Sequence, residues 1–240
     1  MTLRWLTSFS LLVGVALPLA AASVSGRVEL LDSRDPTVRK KRDYSGVVIW
    51  LEPLDRAVPP RVLAKPARMD QKDKTFTPHV LAVPMGASVE FPNSDPIFHN
   101  AFSNYNGQIF DVGLYPPGST RTVKFSRAGV VRVFCNIHAT MNAVIVVLGT
   151  PYYATTGVSG AFEVAGVPPG EYKLHVFHER ATPTTLDALD RRVTVGADPM
   201  ILPAITISEG GYLAIPHKNK FGKDYPPAPD DGGLYPVVKK

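Results

Sequence analysis

The lone cysteine of the chain, Cys135, opens the run Cys135-Asn136-Ile137-His138-Ala139-Thr140-Met141, which sets a thiol, an imidazole and a thioether at three-residue intervals. A second imidazole, His99, stands upstream in Phe91-Pro92-Asn93-Ser94-Asp95-Pro96-Ile97-Phe98-His99-Asn100. Soft sulfur favours Cu(I) and imidazole suits either oxidation state. Two histidines and a thiolate in a plane, with a long weak axial methionine, therefore make an electron-transfer copper set. His99, Cys135, His138 and Met141 are the candidate ligands of one copper ion. Zinc fits less well, because methionine is a poor zinc ligand and catalytic zinc patterns lack it. Taken singly, a cysteine or methionine near a strand is ordinary core. The reading rests on the joint pattern, with both segments at strand ends.

Residues three apart on an extended strand face opposite ways, so Cys135, His138 and Met141 converge only where the chain leaves a strand at Cys135 and curls. The β-branched and aromatic run Val130-Val131-Arg132-Val133-Phe134 leads in, and Ala143-Val144-Ile145-Val146-Val147-Leu148 leads out, which predicts a ligand loop at the end of a hairpin. Thr120 to Phe125 and Arg191 to Val195 alternate with the period of half-buried strands, while Gly46 to Leu51 and Val80 to Val83 read as core strands. Thr184 to Arg191, after Pro183, has room for one or two helical turns and is treated as loop decoration. The prediction is an all-β chain.

The ligand segments resemble the cupredoxins, the superfamily of plastocyanin and azurin, over about residues 66 to 148. The short Cys-x-x-His-x-x-Met spacing is most similar to the amicyanin branch, from which the chain departs at Asn136 and Ala139. The resemblance implies a Greek-key β-sandwich and a blue type 1 copper site ligated by His99, Cys135, His138 and Met141. It also implies that Asn100 pins the two ligand loops together. Exported chains similar to this one are often labelled methylamine-utilisation proteins, and no residue here specifies methylamine oxidation or a particular dehydrogenase.

Arg4 precedes an apolar run from Leu11 to Leu19, and Ala20-Ala21-Ala22 offers small residues to a signal peptidase. An export signal over residues 1–22, cleaved near Ala22, is expected, with a periplasmic destination. The run falls short of the roughly twenty residues that span a bilayer, so no membrane insertion is expected. A single cysteine forms no internal disulfide in an oxidising compartment, which favours a reserved role for Cys135. The net charge of +5 falls by one with the signal and does not argue for a nucleic-acid partner. Arg39-Lys40-Lys41-Arg42 reads as a solvated loop.

Beyond the ligand loop, Gly160-Ala161-Phe162 and Pro169-Gly170-Glu171-Tyr172 resemble the strand and turn of the carboxypeptidase regulatory-like, or transthyretin-like, β-sandwich. The Gly-x-Val strands that open that fold, Gly26-Arg27-Val28 and Ser45-Gly46-Val47, lie before the copper segment. Residues 23–60 and 150–208 are therefore expected to build one sandwich, with the cupredoxin segment 66–148 inserted between its strands. The alternative pairs 23–60 with the cupredoxin sheet. Residues 209–240 read as an extended Pro/Gly/Lys tail. His79 reads as a packed or rim residue, His175 and His178 as structural, and His217 as exposed.

No His-x-His and no Gly-x-Ser-x-Gly occurs, so catalysis is not expected. The leading expectation is an electron carrier between redox proteins such as a cytochrome c or a periplasmic dehydrogenase, with His138 as the exit. Copper storage or delivery is the second reading, against which Met69, Met85 and Met200 are scattered. A structural or carbohydrate-binding sandwich is the third, with Tyr152, Tyr153 and Tyr172 as its aromatic candidates.

Overall fold

Three runs break the two-residue alternation of a half-buried sheet, and the fold explains why. In the strand Asn142–Leu148, Ala143, Ile145 and Val147 enter one apolar cluster while Val144, Val146 and Leu148 enter another. In Val80–Pro84, Leu81 and Val83 face the first of these and Val80 and Ala82 the second. In Val48–Pro53 and the residue before it, Val47, Ile49 and Leu51 face a third cluster, while Val48 and Trp50 look back to the second. These strands are covered on both faces, which a continuous apolar run permits and alternation does not.

The computed structural model describes residues 21–59, 61, 63–104 and 107–227. The expected export signal up to residue 20, and the tail beyond residue 227, lie outside the described residues. The protein is all-β, with its sheets stacked so that three apolar layers alternate with them. Ala22–Leu31 pairs antiparallel with Ala161–Val167 and parallel with Met200–Ile201 and Ile205–Ser208. Facing it, Val48–Pro53 lies between Tyr153–Thr155 and Gly170–Phe177, and the latter also pairs with Arg191–Val195. These two sheets enclose a core that includes Val28, Ile49, Leu174 and Ile207.

Residues 67–148 build the other sandwich. Val80–Pro84 runs parallel to Asn142–Leu148, which pairs antiparallel with Gly129–Phe134. That sheet continues through the short strands Phe102–Ser103 and Phe110–Asp111. Opposite stands a sheet of Ala67–Arg68, Ser88–Pro92 and Thr120–Lys124. The core between them holds Phe76, Phe91, Phe125, Val133, Cys135 and Met141. Val48, Val144, Val146, Leu148 and Phe177 form the layer where the two sandwiches meet.

Gly160 shows why the strand at Ala161 needs a glycine before it. Its φ is +77°, and a Cβ built there would lie 2.2 Å from the Val28 carbonyl oxygen. The Gly160 carbonyl meanwhile accepts the Val28 amide at 2.9 Å, so this approach is also a hydrogen bond that starts the sheet.

Two short helices occur among the described residues. Pro36–Lys41 was expected as loop, yet Asp35 caps it by accepting the Thr37 amide at 2.7 Å, Pro36 sits in its first turn and Arg39, Lys40 and Lys41 fill its last. The basic cluster thus faces the negative end of a helix dipole. Pro183–Asp187 is capped by Thr182, whose hydroxyl accepts the Thr185 amide at 3.1 Å. Among the described residues no helix is long and apolar enough to cross a membrane.

A polar network borders the junction. Both carboxylate oxygens of Glu179 lie within 2.9 Å of His79 Nε2, and His178 Nε2 donates to Glu209 at 2.8 Å. Arg180 reaches Glu209 and Asp35 at 3.0 and 3.3 Å. The hydrogen bond to Glu179 raises the His79 imidazole above its ordinary value of 6.5. Burial works against ionisation of Glu179, but the hydrogen bond and charge of His79 outweigh it and hold that carboxyl below 4.5. The His79 contribution to stability is therefore complete below pH 6.5 and fades as pH rises through the raised folded value. The Glu179 contribution fades as pH falls below 4.5. Because the His79 side chain is 41% exposed, His79→Gln is expected to cost at most about 1 kcal/mol. Urea unfolding of both chains between about pH 5 and pH 8 checks the sign, since the cost must shrink toward the alkaline end. A cost that stays level would contradict the pairing.

Candidate metal centre

The ligand loop, residues 135–141, closes the hairpin between Gly129–Phe134 and Asn142–Leu148, whose last register pair is Phe134 with Asn142. The chain leaves the strand at Cys135 and tightens: the Cys135 amide donates to the Met141 carbonyl and the Met141 amide to the His138 carbonyl, each at 3.1 Å. His99 is held on the facing loop by a two-way backbone bridge with Tyr115, at 3.2 and 2.9 Å.

These loops bring three candidate ligands together. The Nδ1 atoms of His99 and His138 lie 3.8 and 3.7 Å from Cys135 Sγ, and the three ligand atoms fall within 4.8 Å of one another. An ion bonded at about 2.3 Å to sulfur and about 2.0 Å to nitrogen, with bond angles near 120°, separates the two by about 3.7 Å. A tetrahedral centre would draw them in to about 3.5 Å. The observed sulfur–nitrogen distances leave room for one ion bonded to the sulfur and to both rings. Met141 is fully buried in the same core as Cys135, one loop turn beyond His138.

Electrostatics suit the same occupant. Burial pushes the Cys135 thiol up, opposed by the amides of Ile137, His138 and Asn100 that face its sulfur. A thiolate in this place is costly without a cation beside it. Burial, helped by the charges of His99 and Lys74, pulls the His138 imidazole down to about 4. His99 is likewise lowered by burial, which outweighs the opposing carboxylate of Asp95. Both rings are therefore neutral near pH 7, with lone pairs to offer. The donors fit a soft or borderline metal cation.

Asp95 belongs to the site as well, a role that the ligand spacing alone does not reveal. It lies 2.7 Å from His99 Nε2, so the Nε2–H is its donor and Nδ1 keeps the lone pair that faces sulfur. Burial alone would raise the Asp95 carboxyl, but the Lys74 amide, the His99 ring and the Asp73 amide together hold it low. Those amides lie at 2.9 and 2.6 Å, in a turn where Asp73 and Lys74 adopt φ of 54° and 55°. A carboxylate four residues before a ligand histidine was the available signal. Asp95→Ala is expected to weaken metal binding between about tenfold and a hundredfold, read by competition with a chelator of known affinity. Unchanged affinity would remove Asp95 from the site.

Asn100 joins the loops. Its Oδ1 accepts the Asn136 amide at 3.3 Å, while its Nδ2 donates to Asp111 and to the Gly113 carbonyl at 2.7 and 2.9 Å. His138 is the less buried histidine, 7% exposed against none for His99, but its Nε2 is enclosed and meets no hydrogen-bond partner. His138 is thus the ligand nearer solvent, as expected of the one on the loop, although its outer nitrogen is covered. His217, expected in solvent, is stacked on Phe134 at 4.0 Å between ring centroids. The other histidines stand apart from the cluster: His79 and His178 in the junction network, and His175 against Trp50, Glu52 and Asp190.

No protein-family model and no curated protein matches the sequence. Among solved structures the chain is similar to a purple cupredoxin from Nitrosopumilus maritimus, 22% identical over 34% of this chain and 99% of that one, with a TM-score of 0.31. It is similar to a reduced Cu(I) amicyanin variant, 17% identical over 42% of this chain and 98% of that one, with a TM-score of 0.33. A copper-containing nitrite reductase from Thermus scotoductus is 21% identical over 50% of this chain, with a TM-score of 0.35, and the match spans only 28% of the reductase.

Proposed function

We propose that this chain is an exported copper protein that carries single electrons between redox proteins and performs no chemistry of its own on a substrate. One observation carries the reading: two imidazole Nδ1 atoms face one buried thiol at 3.8 and 3.7 Å, and the three donor atoms fall within 4.8 Å of one another. His99, Cys135 and His138 would hold the ion, with Met141 as the weak axial ligand. Bound copper supplies a Cu(II)/Cu(I) couple, which a mixed sulfur and nitrogen set suits in both states.

The chain's own part is to keep these atoms still. Asp95 fixes the His99 tautomer, the amides of Ile137, His138 and Asn100 face the sulfur, and the hairpin bonds across residues 135–141 hold the loop. A site that moves little when it gains or loses an electron exchanges it quickly. Complete burial of Cys135, His99 and Met141 disfavours copper delivery, in which an incoming acceptor ligand must reach the ion. Tyr172 is fully buried beneath Tyr152, so one of the three aromatic residues considered for a carbohydrate platform is not on the surface.

On this reading the chain works in the periplasm, with a cytochrome c or a dehydrogenase as partner, and the sandwich built by its two ends is a carboxypeptidase regulatory-like support. Loading the protein with Cu(II) tests the proposal. An intense visible thiolate-to-copper band that bleaches on reduction and returns on oxidation is expected, and a colourless copper complex would overturn the reading.

A further inference from the structure

The segment after Glu209 does not leave the molecule. It crosses the ligand loop and bonds to its backbone along the way. Tyr225 Oη donates to the Cys135 carbonyl at 2.8 Å, and His217 Nε2 donates to the Ala139 carbonyl at 2.8 Å. The Lys220 amide donates to Asn136 Oδ1 at 3.0 Å. The Lys220 ammonium pairs at 2.8 Å with Asp111, which in turn holds Asn100 between the two loops. The strap is itself braced: Asn219 is buried and its side-chain oxygen accepts the amides of Phe221 and Lys223 at 2.9 and 3.1 Å. The His217 ring is gripped between Phe134 and Tyr225, at centroid distances of 4.0 and 5.2 Å.

We propose that residues 212–225 belong to the metal centre as a strap that holds the ligand loop in its binding shape, with Tyr225 positioning Cys135 through its carbonyl and His217 positioning the turn after His138. The inference deepens the copper reading and rests on it. Its physical basis is the direction of these bonds. The backbone at Cys135 fixes where the Cβ–Sγ bond points, and the strap acts on that backbone from outside the hairpin. Internal bonds close the mouth of the loop, between Cys135 and Met141, while the strap bonds reach residues 135, 136 and 139 along its outer edge. Without them the loop keeps its ends and loses its shape.

The full-length variants Tyr225→Phe, His217→Leu and their combination test this, because they remove hydrogen bonds and keep apolar bulk. In metal-free protein, deuterium exchange at the amides of residues 136–141 is expected to speed up severalfold in each single variant and about tenfold or more in the pair. Exchange in Ala161–Val167 should stay at the wild-type rate. In copper-loaded protein, the thiolate-to-copper band is expected to shift in energy and a chelator to withdraw the metal faster by a similar factor. Wild-type exchange in residues 136–141 of the double variant would overturn the proposal, and so would an acceleration shared equally by both sandwiches. If the wild-type chain forms no thiolate–copper band, the copper reading falls, while the exchange rates still decide whether the strap shapes the loop.

Discussion

Cys135→Ser is expected to abolish the visible thiolate-to-copper absorption and to weaken copper binding by more than about a hundredfold, beyond the range typical of a residue that only supports a ligand. The substitution changes one atom at a position with no solvent exposure, so it leaves the volume of the core nearly unaltered. It replaces a soft donor with a hard hydroxyl that holds its proton at neutral pH, while His99 and His138 still present their lone pairs. Residual binding through two imidazoles would then be weak and without the intense band. The metal-free variant should unfold within about 1–2 kcal/mol of the wild type, which separates loss of the ligand from loss of the fold. A serine variant that kept the colour would show that another residue supplies the sulfur-like donor, and the assignment would fail.

Val146→Asp should have the largest effect on stability. Val146 is 2% exposed and lies with Val48, Val144, Leu148 and Phe177 in the layer shared by the two sandwiches. The side chains buried beside it in that layer, Val48, Val144, Leu148 and Phe177, offer a carboxylate neither a cation nor a hydrogen-bond donor. Its burial costs more than about 4 kcal/mol, against a net stability of about 5–15 kcal/mol for a folded chain. Val146→Ala, which leaves a small cavity and no charge, is expected to cost about 2 kcal/mol. Urea unfolding followed by circular dichroism gives both numbers, and hydrogen exchange shows where protection is lost. Because the layer belongs to both units, protection should fall in the strands on either side of it. Loss confined to one sandwich, or an Asp variant with a wild-type midpoint, would mean that the layer does not couple them.

Much of this architecture was written in local patterns. The alternating and apolar runs marked the strands, and the spacing of Cys135, His138 and Met141 required a hairpin end, because side chains three apart cannot converge on a strand. The apolar runs at Val47, Val80 and Val144 carried more than was read from them: continuity of that kind signals a strand covered on both faces. The helix at Pro36 was also legible, since Asp35, Pro36 and three terminal cations are a capping signature, but six residues are too few to show a helical period.

The strap was not legible. His217 and Tyr225 meet Ala139 and Cys135 across sequence separations of 78 and 90, and nothing in a lysine- and proline-rich stretch announces a partner so far away. Asp95 was partly legible, because a carboxylate four residues before a ligand histidine is within reach of the ring nitrogen whose proton sets the tautomer.

The path of the backbone through the stack sets terms for how the molecule can assemble. Val28 pairs with Ile205 and the Val47 amide with the Thr156 hydroxyl, whereas every strand partner between residues 67 and 148 lies within that same stretch. For an unstructured chain, closing so long a loop carries an entropic cost that grows with the logarithm of its length. Once the inner sandwich is formed, its first strand, Ala67–Arg68, and its last, Asn142–Leu148, are fixed in one folded unit, and the free loop left to close shortens to the segments on either side of it. The metal-bearing unit is thus also the tether that delivers the strands of residues 22–53 and 153–208 to each other.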